Sequence, residues 1–486
     1  MAYSADSSGN VPGPEDSAND EAEARAFEEF LADLNARINP ERSRAFDRRR
    51  LEASRETMFA LSRELWPRAR GERISIVGSN GKGSTAWYLA AIAEARTGHR
   101  GQADVSPESE QASAQARVGL YTSPHLTSPL ERIRLDRTPI NARDAVAGLE
   151  HLQTMLPDYA SFSYFEIFTL LAWHLFQSRD CPVQIFEAGL GGRFDATRIA
   201  RADTVVLTRI DLEHTQILGE TPQAILTEKL GIVSPECRRV FYGPQSALGA
   251  DEIEAEIRRL APEAKICAWR PDAAFEDYLA ENLAYARFIF DTTGTSASRA
   301  TAESSGPAPV DLAPIAPPPG RLERRELPAR LLPGQHGHRS PRDDDDDARA
   351  ATAIAYFDVA HNPASIQRSL RDLTARPDFP GLAACELRLG VLKDRDPVEC
   401  LAAAREIGFH RARLLTGGDL AAWPADFAAR LPEDFDAAPE STDAAAGRAP
   451  SPPPADVRCV VVLGSHRIYN YFVELTAGGE KTDPDL

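Results

Sequence analysis

The chain has 486 residues, 43% of them hydrophobic and 26% charged, with a formal net charge of -18. That length predicts two large domains or three smaller ones, and the ordinary apolar content excludes whole-chain disorder and fibrous architecture. The acidic balance disfavours sequence-independent nucleic-acid binding, and the longest apolar stretch, Phe165–Phe176, is broken by Glu166, Thr169 and His174 before the roughly 18 residues a membrane span needs, so neither nucleic acid nor membrane is an expected partner.

Residues 1–24 are acidic and rich in Ser, Gly and Pro, which predicts a disordered tail without the basic start and apolar core of a secretory signal; a cytoplasmic protein is expected. The first apolar runs, Ile74–Val77, Val118–Tyr121, Val183–Phe186 and Val205–Leu207, are each followed by a polar turn and a longer amphipathic stretch. A second set follows at Ile354–Asp358, Leu387–Val391, Arg413–Leu415 and Val460–Leu463. This alternation predicts βαβ units around largely parallel sheets. Segments 101–116, 292–319 and 436–456 read as loops or linkers, and Pro333–Arg349, with its Asp343–Asp347 run, reads as a solvated insertion. The expected organisation is a tail over 1–24, one α/β domain over 25–291, a linker over 292–319 and a second α/β domain over 320–486. Six cysteines lie far apart with no C-x-x-C pair, so they are expected to be reduced core residues.

The strand at Ile74 runs into Gly78-Ser79-Asn80-Gly81-Lys82-Gly83-Ser84-Thr85 and then a helix start. Strand, glycine-rich turn, lysine and helix in that order make a phosphate loop. Glycines free backbone N–H groups to face phosphates, Lys82 meets the outer phosphates, and Ser84 can reach a magnesium ion. Gly83 separates Lys82 from Ser84, so the strict G-x-x-x-x-G-K-[ST] pattern is not met.

This G-[ST]-N-G-K-G-S loop resembles that of the Mur ligase superfamily, in particular its folate branch, folylpolyglutamate synthase and dihydrofolate synthase. Further blocks extend the resemblance over about residues 28–472: Thr122-Ser123-Pro124-His125-Leu126, Glu187-Ala-Gly-Leu-Gly-Gly-Arg-Phe-Asp195-Ala-Thr197, Glu228-Lys229-Leu-Gly-Ile232, Pro319-Gly320-Arg321 and Asp358-Val-Ala-His361-Asn-Pro363. The resemblance implies an N-terminal P-loop ATPase-like domain with a mostly parallel sheet and a C-terminal Rossmann-like α/β domain. It implies ATP and Mg²⁺ as cofactors, with Ser84, Ser123, Glu187 and His214 as metal ligands. It also implies a lysine at Lys229 that is commonly carbamylated. Asn282, Arg321 and Asp358 would join Gly78, Asn80, Gly81, Lys82, Gly83, Ser84 and Thr85 around the nucleotide, and Lys82, Lys229, Asp358 and His361 would serve catalysis.

Ser163, Tyr164, Phe165 and Glu166, with Phe194, Asp195 and Ala196, match the stretches that contact a pterin in the dihydrofolate synthase members; a plain helix start with core aromatics explains the first of these equally well. Arg209 stands where the family has asparagine, Glu213 where it has aspartate, and the Leu-Gly and His-Gln elements that usually precede Asn282 are missing. The implied reaction is ATP-dependent addition of L-glutamate to tetrahydrofolate, and to dihydropteroate, through an acyl phosphate. The implied partners are small molecules (ATP, L-glutamate, folate or dihydropteroate) acting on a monomer. A chain-extending synthase alone, a Mur-type amino-acid ligase acting on a cell-wall precursor, and a nucleotide-binding protein without catalysis are the alternatives.

Overall fold

The computed structural model describes residues 14–36, 48–66, 69–98, 118–156, 159–293, 315–328, 353–393, 395–422, 436–442, 450, 453–454 and 456–477. Two sheets organise them. The first contains β1 (Glu72–Val77), β2 (Val118–Tyr121), β3 (Ile133–Leu135), β4 (Thr138–Pro139), β5 (Val183–Glu187), β6 (Thr204–Leu207), β7 (Arg239–Tyr242) and β8 (Lys265–Ala268), in the order β4-β3-β2-β5-β1-β6-β7-β8. Its strands are parallel from β2 to β8, with β3 and β4 added antiparallel at one edge. The second contains β9 (Glu323–Glu326), β10 (Ile354–Asp358), β11 (Cys385–Gly390), β12 (Arg411–Thr416), β13 (Asp436–Ser441) and β14 (Cys459–Gly464), in the order β13-β12-β11-β14-β10-β9; only β9 is antiparallel.

Strands β2, β5, β6, β10, β11 and β14 are buried along their whole length, as helices on both faces of a parallel sheet require. The two-sheet α/β class expected from the alternating runs is therefore observed. β1 lies between β5 and β6: the connection from β1 passes β5 to reach β2, and the one from β5 passes β1 to reach β6, so the strand order switches direction here and opens a crevice beyond the carboxyl ends, where open parallel sheets bind ligands. One apolar cluster joins the halves: Ile74, Leu89 and Ile185 of the first sheet layer and Tyr356, Leu387 and Val461 of the second belong to it, together with Leu279 and Ile289 of helix Tyr278–Thr293.

Two readings are corrected. The tail expected over 1–24 overlaps a helix, Pro14–Ala36; proline at its first position, Glu15 and Asp16 after it, and a run of Ala and Glu are good helix-starting chemistry that the acidic composition masked. Phe27, Leu31 and Leu34 of this helix enter a core with helices Ala142–Met155 and Tyr164–Ser178. The loop expected over 436–456 begins with the edge strand β13, whose carboxylate Glu440 accepts a hydrogen bond from Tyr471 at 2.8 Å. An edge strand with few large apolar residues and a proline hides from an apolar-run search. The expected segments 101–116 and Pro333–Arg349 lie outside the described residues, as do 1–13 and most of 292–319.

Candidate active site

The turn after β1 is built from close approaches. Gly78 has φ +148°, and a Cβ there would lie 1.9 Å from Thr208 Oγ1. The strand end beside it supplies Arg209 O, which accepts from Ser79 N at 2.7 Å and Asn80 N at 3.4 Å. Asp211 locks the turn further: Asn80 Nδ2 donates to its carboxylate at 2.7 Å, and Ser79 Oγ donates to its carbonyl at 2.9 Å. Lys82 opens helix Lys82–Gly98, so the positive end of the helix, with Gly83 and Ser84 in its first turn, faces the crevice, while Thr85 N donates to Gly81 O at 3.0 Å.

Two ammonium groups converge on one carbonyl. Lys82 Nζ donates to Gly78 O at 2.8 Å and to Ser79 O at 3.2 Å, while Lys229 Nζ donates to Gly78 O at 2.8 Å and to Glu213 Oε1 at 2.7 Å. Lys229 and Glu213 are both buried. Burial alone would raise the Glu213 carboxyl, but Lys229, with Lys82 and His214 beyond it, holds it well below the usual carboxylate range. Burial lowers the Lys229 ammonium against the opposing pull of Glu213.

Glu187 ends β5 and accepts from Ser123 N at 3.1 Å. Burial pushes its carboxyl up, opposed by Lys82, Ser123 N–H, Arg321 and Arg132. Gly83 sits against both partners: a Cβ there would lie 3.3 Å from Glu187 Oε2 and 3.6 Å from an Arg321 guanidinium nitrogen. Ser84, Ser123, Glu187 and Arg321 thus meet at the first turn of the phosphate-loop helix. His214, at φ +44°, is turned instead toward Arg395, with Nε2 3.0 Å from its guanidinium. Among the described residues no three His, Cys, Asp or Glu side chains gather as a metal-binding group.

From the second sheet, Asp358 at the end of β10 is buried and uses both oxygens. Its Oδ2 accepts from Tyr278 OH at 2.5 Å and Leu322 N at 2.8 Å, and Oδ1 accepts from Ala360 N at 2.9 Å. Burial raises this carboxyl, and Arg321 and Tyr278 oppose the shift. His361 Nδ1 meets Val359 O at 2.7 Å, which makes Nδ1 the protonated nitrogen of the neutral ring. Burial and Arg395 push its pKa down to about 4, so it is neutral at pH 7. Asn362 caps helix Pro363–Thr374 and its Nδ2 crosses the cleft to Asn80 Oδ1 at 3.2 Å. Asn282 faces the loop too, its Oδ1 lying 3.1 Å from the place of a Cβ on Gly81.

The pterin-matching segments divide. Ser163 caps helix Tyr164–Ser178 in a capping box with Glu166, whose carboxylate also accepts from Ser54. Asp195 accepts from the N–H groups of Gly189, Leu190 and Thr197, tying the glycine-rich turn into shape, and Ala196 begins a short buried 3-10 helix. Tyr164 is buried under Arg132, 5.2 Å from its ring. Phe165 and Phe194 are less enclosed. Phe165 packs on Gly189, where a Cβ would come within 2.6 Å, and Arg55 stacks over Phe194 at 5.3 Å. Arg132, in the Glu131-Arg132-Ile133 segment that also resembles the family, is buried and donates to His125 Nδ1 at 2.9 Å; sequence reasoning missed Tyr278, the partner of Asp358. This tyrosine lies four residues before Asn282 and carries no motif of its own.

No family model matches the chain. The dihydrofolate synthase/folylpolyglutamate synthase of Escherichia coli is 30% identical over 341 residues, 68% of this chain and 70% of that protein. The Haemophilus influenzae protein of the same name is 36% identical over 190 residues, and the folylpolyglutamate synthase of Lacticaseibacillus casei 31% identical over 229; those alignments span 39% and 49% of the relatives' lengths. Among solved structures, Mycobacterium tuberculosis folylpolyglutamate synthase complexed with ADP and AMPPCP superposes with a TM-score of 0.64 at 22% identity, covering 93% of this chain and 99% of that one. The bifunctional Yersinia pestis enzyme with Mn, AMPPNP and L-glutamate bound gives 0.62 at 22% identity, covering 86% of this chain and 93% of that one. Together with the identity shared across 70% of the E. coli protein, the common two-sheet fold makes this chain a member of the dihydrofolate synthase/folylpolyglutamate synthase family.

Proposed function

We propose that the protein is an ATP-dependent carboxylate–amine ligase that adds L-glutamate to tetrahydrofolate and to dihydropteroate. The observation that carries this reading is the convergence of Lys82 and Lys229 on Gly78 O, under a helix N-terminus faced by Glu187 and by Arg321 of the second sheet unit. Such an arrangement neutralises charge on a phosphoryl group in transfer, and little else is required of the protein in that chemistry. A substrate carboxylate oxygen attacks the γ-phosphorus and ADP departs, leaving an acyl phosphate. The glutamate amine then attacks the acyl carbon, the amide forms, and phosphate leaves as the nitrogen gives up its proton. Lys82 and the first-turn N–H groups hold the transferring phosphoryl group, Arg321 reaches it across the cleft, and Asp358 and neutral His361 serve catalysis from the second sheet unit, Asp358 also at the nucleotide. Fixing both reactants between the two units removes several kcal/mol of barrier.

A divalent ion fits the same corner. Glu187 is buried with Lys82, Arg321 and Arg132 acting on it, and offers a hard carboxylate oxygen, the donor type Mg²⁺ prefers, at a corner formed with Ser123 and the first helical turn that carries Ser84. Glu187, Ser84 and Ser123 would hold it, and when bound it supplies charge neutralisation on the phosphates. His214 would join them by leaving Arg395. In this reading Lys229 acts as an ammonium paired with Glu213. Its carbamate, implied by the resemblance and favoured by the burial that lowers its pKa, is the second state, with an anionic oxygen on the same nitrogen. Phe165 and Phe194 are assigned to the flat pterin ring, with Tyr164 as their backing; Ser163, Glu166, Asp195 and Ala196 shape the wall behind.

The cleft is assembled within one chain, which supports action as a monomer, with the nucleotide unit over 25–291 joined through 292–319 to the unit over 320–486. Six free, buried cysteines suit the cytoplasm, and no described helix is long and apolar enough to cross a membrane. The test offers purified protein ATP, Mg²⁺ and labelled L-glutamate with dihydropteroate or tetrahydrofolate in separate reactions. Labelled product from both acceptors is expected. Product from tetrahydrofolate alone would reduce the assignment to a chain-extending synthase, and product from neither would overturn it.

A further inference from the structure

Two departures from the family pattern meet in space. Arg209 replaces the usual asparagine after β6, and Tyr278-Leu279 stand where a His-Gln pair precedes Asn282. In the fold, Arg209 donates to Glu281 Oε1 at 2.6 Å, and the other oxygen of Glu281 pairs with Arg368 of helix Pro363–Thr374 at 3.0 Å. Arg368 also pairs with Asp372, 2.9 Å away, and Asp372 accepts from Tyr278 N at 2.8 Å. Two guanidinium groups and two carboxylates therefore close a neutral cluster on the first turn of helix Tyr278–Thr293. Glu281 is buried, with one arginine from each half of the chain.

The cluster touches the nucleotide loop twice. The carbonyl of Arg209 accepts the Ser79 and Asn80 N–H groups, and the residue after Glu281 is Asn282, whose amide faces Gly81. We propose that Arg209, Glu281 and Arg368 form a clamp that positions Asn282 for the base of the nucleotide and makes its placement depend on the second sheet unit being docked. The clamp takes over a positioning task from side chains this sequence lacks. An asparagine amide offers one acceptor and one donor side by side, which matches the exposed amino group and ring nitrogen of adenine and mismatches guanine. A clamp that orients the amide therefore sets base selectivity as well as affinity. Arg209 is 42% exposed, so its pairing is weakened by salt.

This inference rests on the cleft being a nucleotide site, and its test reads nucleotide affinity apart from turnover. Glu281→Gln, Arg209→Asn and the double variant are compared with the unaltered protein by ADP and GDP titration calorimetry, by thermal unfolding, and by KM and kcat for ATP, glutamate and tetrahydrofolate. Each single variant is expected to weaken ADP binding and raise the ATP KM about five- to tenfold, the worth of a half-buried ion pair. The preference for ADP over GDP should narrow by a similar factor. The KM for tetrahydrofolate should stay within about twofold, and the double variant should be no worse than either single one, since both break the same contact. Increasing salt should weaken ADP binding to the unaltered protein more steeply than to Glu281→Gln. Unchanged ADP affinity, or a fall in every kinetic parameter in step with a lowered melting temperature, would overturn the clamp. If the unaltered protein binds ADP but forms no product with either folate acceptor, the ligase assignment fails while the calorimetry still decides the clamp.

Discussion

Glu213→Gln removes one charge from the most enclosed ion pair near the phosphate loop and keeps the shape of the side chain. Lys229 and Glu213 are 2% and 7% exposed and 2.7 Å apart, so the variant leaves an ammonium in the interior with two neutral acceptors, Gly78 O and the new amide oxygen. Breaking a buried pair from one side costs about 3–5 kcal/mol. For a cooperative unit of about 200 residues, each kcal/mol moves the melting temperature by about 2–4 °C, which gives a drop of about 6–20 °C. The pH dependence has a definite sign. Glu213 is held below its ordinary value in the fold, so its contribution is complete above about pH 4.3, where the unfolded carboxyl titrates, and declines as the pH falls further. Thermal unfolding of both proteins between pH 3 and pH 8 should therefore show a constant gap above pH 5 that narrows in acid. Adding Lys229→Met to Glu213→Gln should recover part of the loss, because no charge is then left unpaired. A variant melting within about 2 °C of the original would refute the reasoning. A more stable variant would mean that Lys229 carries an anion, the carbamate, and repels Glu213.

Lys82→Ala and Glu187→Ala should each lower glutamate ligation by at least about a hundredfold while far-ultraviolet circular dichroism and melting temperature stay near those of the parent; full activity in either would remove the ligase assignment. Gly78→Ala places a methyl 1.9 Å from Thr208 Oγ1 at φ +148°, so ADP binding should be lost, and pairing it with Thr208→Ala should restore only part, since the backbone strain remains. His174, pushed down to about 4 by burial and by stacked His151, stays neutral in the fold while the unfolded chain binds a proton below about pH 6.5. Stability should thus decline as pH falls from about 6.5 to 4, and His174→Leu should flatten that limb in a urea titration series; an unchanged slope would count against it.

The eight apolar runs legible in the sequence are all strands, and each lies in the interior of its sheet, where two buried faces demand a continuous apolar run. β3, β4, β7, β8, β9 and β13 were not among the runs: β9 and β13 are edge strands that need none, Glu323–Glu326 being wholly charged and Asp436–Ser441 containing a proline, whereas β7 has only the three-residue apolar run Val240–Tyr242. At the site, the glycine-rich turn between strand and helix marked the loop from its own residues, whereas Glu187, Lys229, Arg321 and Asp358 were expected from the family resemblance. Tyr278 and the Arg209–Glu281–Arg368 cluster depend on which helices meet, and a linear pattern holds no record of that. His214 illustrates the opposite limit. Its motif was found, yet the rotamer it takes is set by Arg395, 181 residues away in sequence.

The apolar cluster that joins the two sheet layers limits how the molecule can open. Where the halves meet near the phosphate loop, the contacts are polar: Asn80 with Asn362, His214 with Arg395, Tyr278 with Asp358. Water can replace these at little net cost. Helix Tyr278–Thr293 carries both kinds of contact: its first turn holds the ionic cluster, while Leu279 and Ile289 lie in one continuous core with Leu322, against which Trp87 and Ile315 pack; separating that core would cost about 25 cal/mol for each Å² exposed. Opening the cleft while keeping this apolar contact is therefore expected to cost less than separating the halves outright, and a chain cut after residue 291 would leave the first half's share of that contact exposed.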